Sequence, residues 1–177
     1  MHLFGKFGYY GSVEEIQTRL RRSSLYNNGE KVIVFDLDEV LVWHKKQYEH
    51  GVVKGKSKEV LHNQAREVVR MACSEIGNVV FWTAANLDCE TNGRAKLLTT
   101  SPFDEIGQYI EGTSIRFYSA IKYLKLVTPN LENVVALEDR IKTFIPKNRV
   151  VTVGPHDNLL ERYCQARDLL LHRRRAS

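Results

Sequence analysis

The chain has 177 residues, 43% hydrophobic and 27% charged, with Lys plus Arg at 26 against Asp plus Glu at 21 and a formal net charge of +5. That length suits one compact domain and excludes a second large one, and the plentiful Leu, Ile and Val with scattered Gly and Pro exclude disordered and fibrous classes. No apolar run reaches the ~18 residues needed to cross a bilayer and no signal pattern opens the chain, so the expectation is an intracellular protein with no membrane partner.

Residues 1–30 read as an N-terminal appendage: an aromatic, Gly-containing start from Phe4 to Gly11, then Ser12-Val13-Glu14-Glu15, a capping box opening a short basic helix that ends near Arg22. The turn Asn27-Asn28-Gly29 leads into Val32-Ile33-Val34-Phe35, a β-branched run too short for a buried helix and therefore expected as a central strand. Residues 44–57 are polar and rich in Gly and Lys. From Ser57 onward Leu61, Ala65, Val68, Val69, Ala72 and Ile76 recur at helical spacing, which predicts one helix leading into a second buried strand, Val79 to Trp82.

A polar helix around Cys89 to Leu98, a strand around Gln108 to Glu111 and a helix from Ile115 to Leu126 introduced by Ser114 continue the alternation. Strands at Val134 to Leu137 and Val150 to Val153 follow, then a last helix capped by Asn158 with Glu161 three residues on. Strands alternating with helices imply βαβ units and a parallel sheet. The main domain is expected over 31–172, with 173–177 a basic tail. Cys73, Cys89 and Cys164 lie far apart with no paired spacing, which argues against a disulfide framework or a zinc site.

Asp36 and Asp38 follow the first strand directly, in Phe35-Asp36-Leu37-Asp38-Glu39-Val40-Leu41-Val42. Ligands of open α/β sheets bind at that edge, although a turn-forming Asp and a cap would give the same letters. Two further strands end in polar groups, Thr83 after Val79 to Trp82, and Glu138 with Asp139 after Val134 to Leu137. Several carboxylates gathered in one crevice repel unless a cation is bound, and Mg²⁺ is the economical choice.

These residues resemble the haloacid dehalogenase superfamily of aspartate-nucleophile phosphohydrolases. Asp36-Leu37-Asp38-Glu39-Val40-Leu41-Val42 is similar to that family's first motif, with Val40 where many members have Thr, and its wording is most like the phosphatases of the RNA polymerase C-terminal repeats. Phe81-Trp82-Thr83-Ala84-Ala85 resembles the second motif and Leu137-Glu138-Asp139 the fourth. The resemblance implies a three-layer, Rossmann-like, doubly wound parallel sheet of order 3-2-1-4-5. It further implies that Asp36 is the nucleophile and Asp38 the acid and base. Mg²⁺ would be held by Asp36, the Asp38 carbonyl and Asp139, and phosphoryl oxygens by Thr83 and the backbone N–H of Ala84.

The basic residue of the third motif has two candidates. Arg116 lies two residues after the cap Ser114, as in small magnesium-dependent phosphatases, and Lys122 lies sixteen residues before Glu138, as in the polymerase-tail phosphatases. A helix starting at Ser114 would turn Lys122 away from the crevice, so Arg116 is favoured. Glu138 stands where Asp is commoner, leaving its role open.

The intervals from Asp36 to Thr83 and from Thr83 to Asp139 are 47 and 56 residues, already filled by core elements, so no full cap domain fits and His44 to Lys56 forms at most a flap. An open crevice with Lys45, Lys46, Lys54 and Lys56 near it would admit a phosphorylated polymer, a nucleic-acid end or a phosphoprotein, as well as a small ester or nucleotide. His44 is a candidate substrate contact, and His156-Asp157 reads as a loop before the last helix. A catalytically inactive binding or regulatory protein on the same fold is the alternative function. A signalling receiver domain is disfavoured because the strand that should end in its phosphorylated Asp ends in Thr83.

Overall fold

The computed structural model describes residues 30–45, 48–49, 52–53, 58–83, 108–110, 122–140 and 144–171. The N-terminal appendage before residue 30, the helix around Cys89 to Leu98, Ala84, Arg116 and the tail after residue 171 lie outside the described residues. Five parallel strands form the central sheet: β1 (Val32–Phe35), β6 (Asn78–Trp82), β7 (Gln108–Ile110), β9 (Val134–Glu138) and β11 (Val150–Thr152). They run in the order β7-β6-β1-β9-β11, which is the expected 3-2-1-4-5, and their positions match the five expected strands. β1 pairs with β6 on one side and β9 on the other, so Phe35 sits between Phe81 and Leu137.

Alternation along these strands builds two cores. Ile33, Phe35, Val79, Phe81, Val135 and Leu137 face one way, where α1 (Ala65–Glu75) and α2 (Leu159–Leu171) cover them with Val68, Val69, Ala72, Tyr163 and Ala166. Val32, Val34, Val80, Trp82, Val134 and Ala136 face the other way against Leu124, Val127 and Phe144. Both faces of the central strands are therefore buried, as near-continuous apolar runs require. Both described α-helices lie on one face. The other is covered by the segment from Lys122 and by the short parallel pair β8 (Lys122–Tyr123) and β10 (Phe144–Ile145). No helix among the described residues is long and apolar enough to cross a membrane.

Two sequence expectations need correction. The helix expected from Ser57 begins only at Ala65, because β5 (Lys58–Leu61) pairs antiparallel with β2 (Val42–Lys45). Leu61 fits the helical stripe but is taken by Val42 across the ribbon, and the His62 amide donates to the Leu41 carbonyl at 2.8 Å. Within the expected flap, β3 (Tyr48–Glu49) and β4 (Val52–Val53) pair antiparallel with each other. The helix expected over Ile115 to Leu126 is likewise not continuous. Lys122 and Tyr123 are extended and paired with Phe144 and Ile145, and Leu124–Leu126 form a single 3₁₀ turn.

The last helix starts as expected, with Asn158 Oδ1 accepting from the amides of Leu160 and Glu161 at 3.1 and 3.2 Å. Gln64 Oε1 adds a second cap, accepting from the Leu159 amide at 3.0 Å. His156 and Asp157 lie in the loop before α2, where the Asp157 carboxylate accepts from Gly154 N at 2.7 Å and Arg162 Nε at 2.9 Å.

Candidate active site

The ladder between β1 and β9 extends one residue beyond the strand: the Asp36 amide donates to the Leu137 carbonyl at 2.9 Å. This sets Asp36 beside Glu138, with Asp139 next along the chain. Oxygens of Asp36, Glu138 and Asp139 all lie within 4.8 Å of one another. They gather where β6 and β9 flank β1 on opposite sides, the switch point at which ligands bind in such sheets.

Lys122 joins this group. Its ammonium lies 2.7 Å from Asp36 Oδ1 and 3.0 Å from Glu138 Oε2, and 4.8 Å from the centroid of the Phe144 ring. The Lys122 side chain is 1% exposed. Two carboxylates and an aromatic face thus satisfy a cation that burial alone would make costly. The expectation that Lys122 points away from the crevice is overturned, because β8 is a strand and not the second turn of a helix. Arg116, the favoured of the two basic candidates, lies outside the described residues.

Glu138, the last residue of β9, is buried beside them. Its Oε2 accepts from Lys122 and its Oε1 from the Arg140 amide at 3.3 Å. Burial raises its carboxyl far above the usual range, the charge of Asp36 raises it further, and Lys122 pulls it back. Asp139 is more open, with Oδ2 3.3 Å from Arg140 Nε.

After Asp36 the chain turns on the Leu37 carbonyl, which accepts from the amides of Leu41 at 3.0 Å and Val42 at 2.8 Å. Glu39 takes φ +60° in this turn, a left-handed conformation that costs a non-glycine residue about 1–2 kcal/mol. The buried side chains of Leu37, Val40 and Leu41 hold it there. Asp38 lies in this turn, placed between two elements. Its Oδ1 is 2.9 Å from His44 Nε2 on β2, and its Oδ2 is 3.5 Å from the hydroxyl of Thr83, which follows β6 and is fully buried.

Of the expected site residues, Asp36, Asp38, Thr83, Lys122 and Asp139 come together at one sheet edge, whereas Ala84 and Arg116 lie outside the described residues. Sequence reasoning underrated His44, which reaches Asp38, and missed Phe144, whose place under Lys122 leaves no local signal. The donor set suits a hard dication: the oxygens of Asp36, Glu138 and Asp139 crowd together, and oxygen ligands are those Mg²⁺ prefers.

No family model and no curated protein matches the sequence. Among solved structures the chain is similar to Fcp1, an essential RNA polymerase II CTD phosphatase, at 13% identity and a TM-score of 0.49, over 72% of this chain and 42% of that one. It is also similar to a fission yeast form of the RNA polymerase II CTD phosphatase Fcp1 bound to beryllium fluoride, again at 13% identity and a TM-score of 0.49, over 80% of this chain and 50% of that one. The chain spans half or less of the length of either.

Proposed function

We propose that this protein is a Mg²⁺-dependent phosphohydrolase of the haloacid dehalogenase type. One observation carries the reading: Asp36, at the end of the central strand, lies 2.7 Å from the Lys122 ammonium, and its oxygens lie within 4.8 Å of those of Asp139 and Glu138. Asp36 is the nucleophile that forms an aspartyl phosphate, and Asp38 protonates the leaving oxygen and then activates water. Lys122 neutralises Asp36 at rest and the transferring phosphoryl group during attack, while Glu138 keeps its ammonium in place. The Thr83 hydroxyl and the backbone after it bind phosphoryl oxygens. The Asp36 and Asp139 carboxylates and the Asp38 carbonyl would hold the cation, which when bound screens the repulsion between a phosphate and an anionic nucleophile.

The substrate is a phosphorylated polymer, with polynucleotide ends preferred over phosphoproteins. Supporting this are the short intervals between motifs, the described flap strands paired as ribbons, and the net charge of +5. A phosphodiester backbone would gain affinity by counterion release, whereas a small ester would touch only the crevice. Turnover is to be screened with Mg²⁺ on a phosphorylated oligonucleotide, a phosphopeptide, a mononucleotide and a sugar phosphate, with chelated protein as control. The expected result is Mg²⁺-dependent turnover whose KM for the oligonucleotide rises steeply between about 50 and 200 mM salt while that for the mononucleotide does not. Equal salt dependence would reject the polymer, and turnover indifferent to chelation would reject the metal.

A further inference from the structure

We propose that His44 is a positioning residue for Asp38: carried on the flap strand β2, it holds one carboxylate oxygen so that the other is presented at the end of β6. The inference rests on the phosphohydrolase reading above. His44 Nε2 lies 2.9 Å from Asp38 Oδ1, with the two side chains 25% and 31% exposed. The contact is therefore shielded enough to count and open enough to serve a substrate.

Asp38 belongs to the tight turn after β1, beside the left-handed Glu39, and bridges to Val42. β2 alternates, so His44 shares the face of Val42 that returns toward Asp38, while Trp43 takes the opposite face and packs edge-on against His62 at 4.8 Å. Four registered pairs with β5, from Val42 with Leu61 to Lys45 with Lys58, pin the strand that carries His44. With Oδ1 held from the flap, Oδ2 lies on the Thr83 side, 3.5 Å from its hydroxyl.

The chemistry asks for such a hold twice. In the first step an Asp36 oxygen bonds to phosphorus, the ester P–O bond breaks with its electron pair on the leaving oxygen, and the Asp38 carboxyl gives that oxygen its proton. In the second, a water oxygen bonds to phosphorus, Asp38 takes the water's proton, and the bond between phosphorus and Asp36 breaks, which releases phosphate. One carboxyl group must meet both oxygens from a single position, and displacement of about 1 Å can cost a hundredfold.

The test compares wild type, His44→Ala, His44→Gln and Asp38→Asn with Mg²⁺ at one pH on two esters. Dinitrophenyl phosphate has a leaving group that departs without a proton, and an alkyl phosphate has one that needs it. For His44→Ala the loss in kcat on the alkyl ester should exceed that on the dinitrophenyl ester by at least about tenfold, with KM little changed. Asp38→Asn should show the same dependence more steeply, and His44→Gln, which keeps an N–H donor, should recover part of it. Each variant is compared with itself on two esters, so a loss of folded protein cancels. Equal losses on both esters, or none, with Asp38→Asn still steep, would overturn the role of His44 and leave the phosphohydrolase reading intact. A wild type inactive on both esters, or Asp38→Asn without leaving-group dependence, would overturn that reading and this inference with it.

Discussion

At the scale of single residues the site is a balance of charge. Asp36 and Glu138 share Lys122, and the Lys122 and Glu138 side chains are each 1% exposed. Removing one partner of a buried ion pair leaves an uncompensated charge and costs about 3–5 kcal/mol, whereas removing both costs far less than the sum. Lys122→Met should therefore be destabilised on that scale in urea unfolding, and Lys122→Met with Glu138→Gln should be destabilised by clearly less than the sum of the two single variants. A double variant destabilised by the full sum would show that the pair is not coupled. Glu138 was legible in the sequence as an acidic residue at a strand end, but its burial was not, because a carboxylate ending a strand is as often solvated. The spacing of sixteen residues to Glu138 favoured Lys122, and the structure sets the two side chains 3.0 Å apart. That spacing lost to an assumed helix that the pairing of Lys122 with Phe144 replaces.

At the scale of elements the site depends on how the flap ribbon joins the core, and His62 is the joint between β5 and α1. Its amide donates to Leu41 at 2.8 Å, its Nδ1 accepts from the Gln64 amide at 3.1 Å, and its ring meets Trp43. Burial lowers its pKa below the ordinary value of 6.5. The unfolded chain then takes up a proton first as pH falls, so stability present above about pH 6.5 is lost on acidification toward the folded pKa. Wild type should lose more unfolding free energy between about pH 7 and pH 5 than His62→Asn, which can accept from Gln64 without a ring to titrate. Parallel pH profiles would exclude His62 as the sensor. The strands were legible because four consecutive apolar β-branched or aromatic residues leave little choice, as at Val32 to Phe35. The start of α1 was not: Leu61 and Ala65 share a helical stripe, and only the distant partner β2 claims the first of them for a strand.

At the scale of the whole molecule, the sheet order brings residues 36, 83, 122 and 139 to one edge of the sheet. Asp36, Thr83 and Asp139 each follow a different strand of the sheet, whereas Lys122 opens β8. Separation along the chain is what made the first three readable as a site, since each strand end could be placed before any tertiary contact was known. What joins them, the flap contact of His44 with Asp38 and the Phe144 ring under Lys122, depends on pairings between short segments that carry no periodic pattern. The central claim is that Asp36 is the nucleophile of a Mg²⁺-dependent reaction, and phosphate release from an aryl phosphate by wild type and Asp36→Asn tests it most directly. An amide oxygen is a poor nucleophile, and Lys122 keeps Glu138 as a partner in the variant. Wild type should release phosphate with Mg²⁺ and not with chelator, and Asp36→Asn should fall to background while unfolding as cooperatively as wild type. Turnover by Asp36→Asn at the wild-type rate would contradict the account.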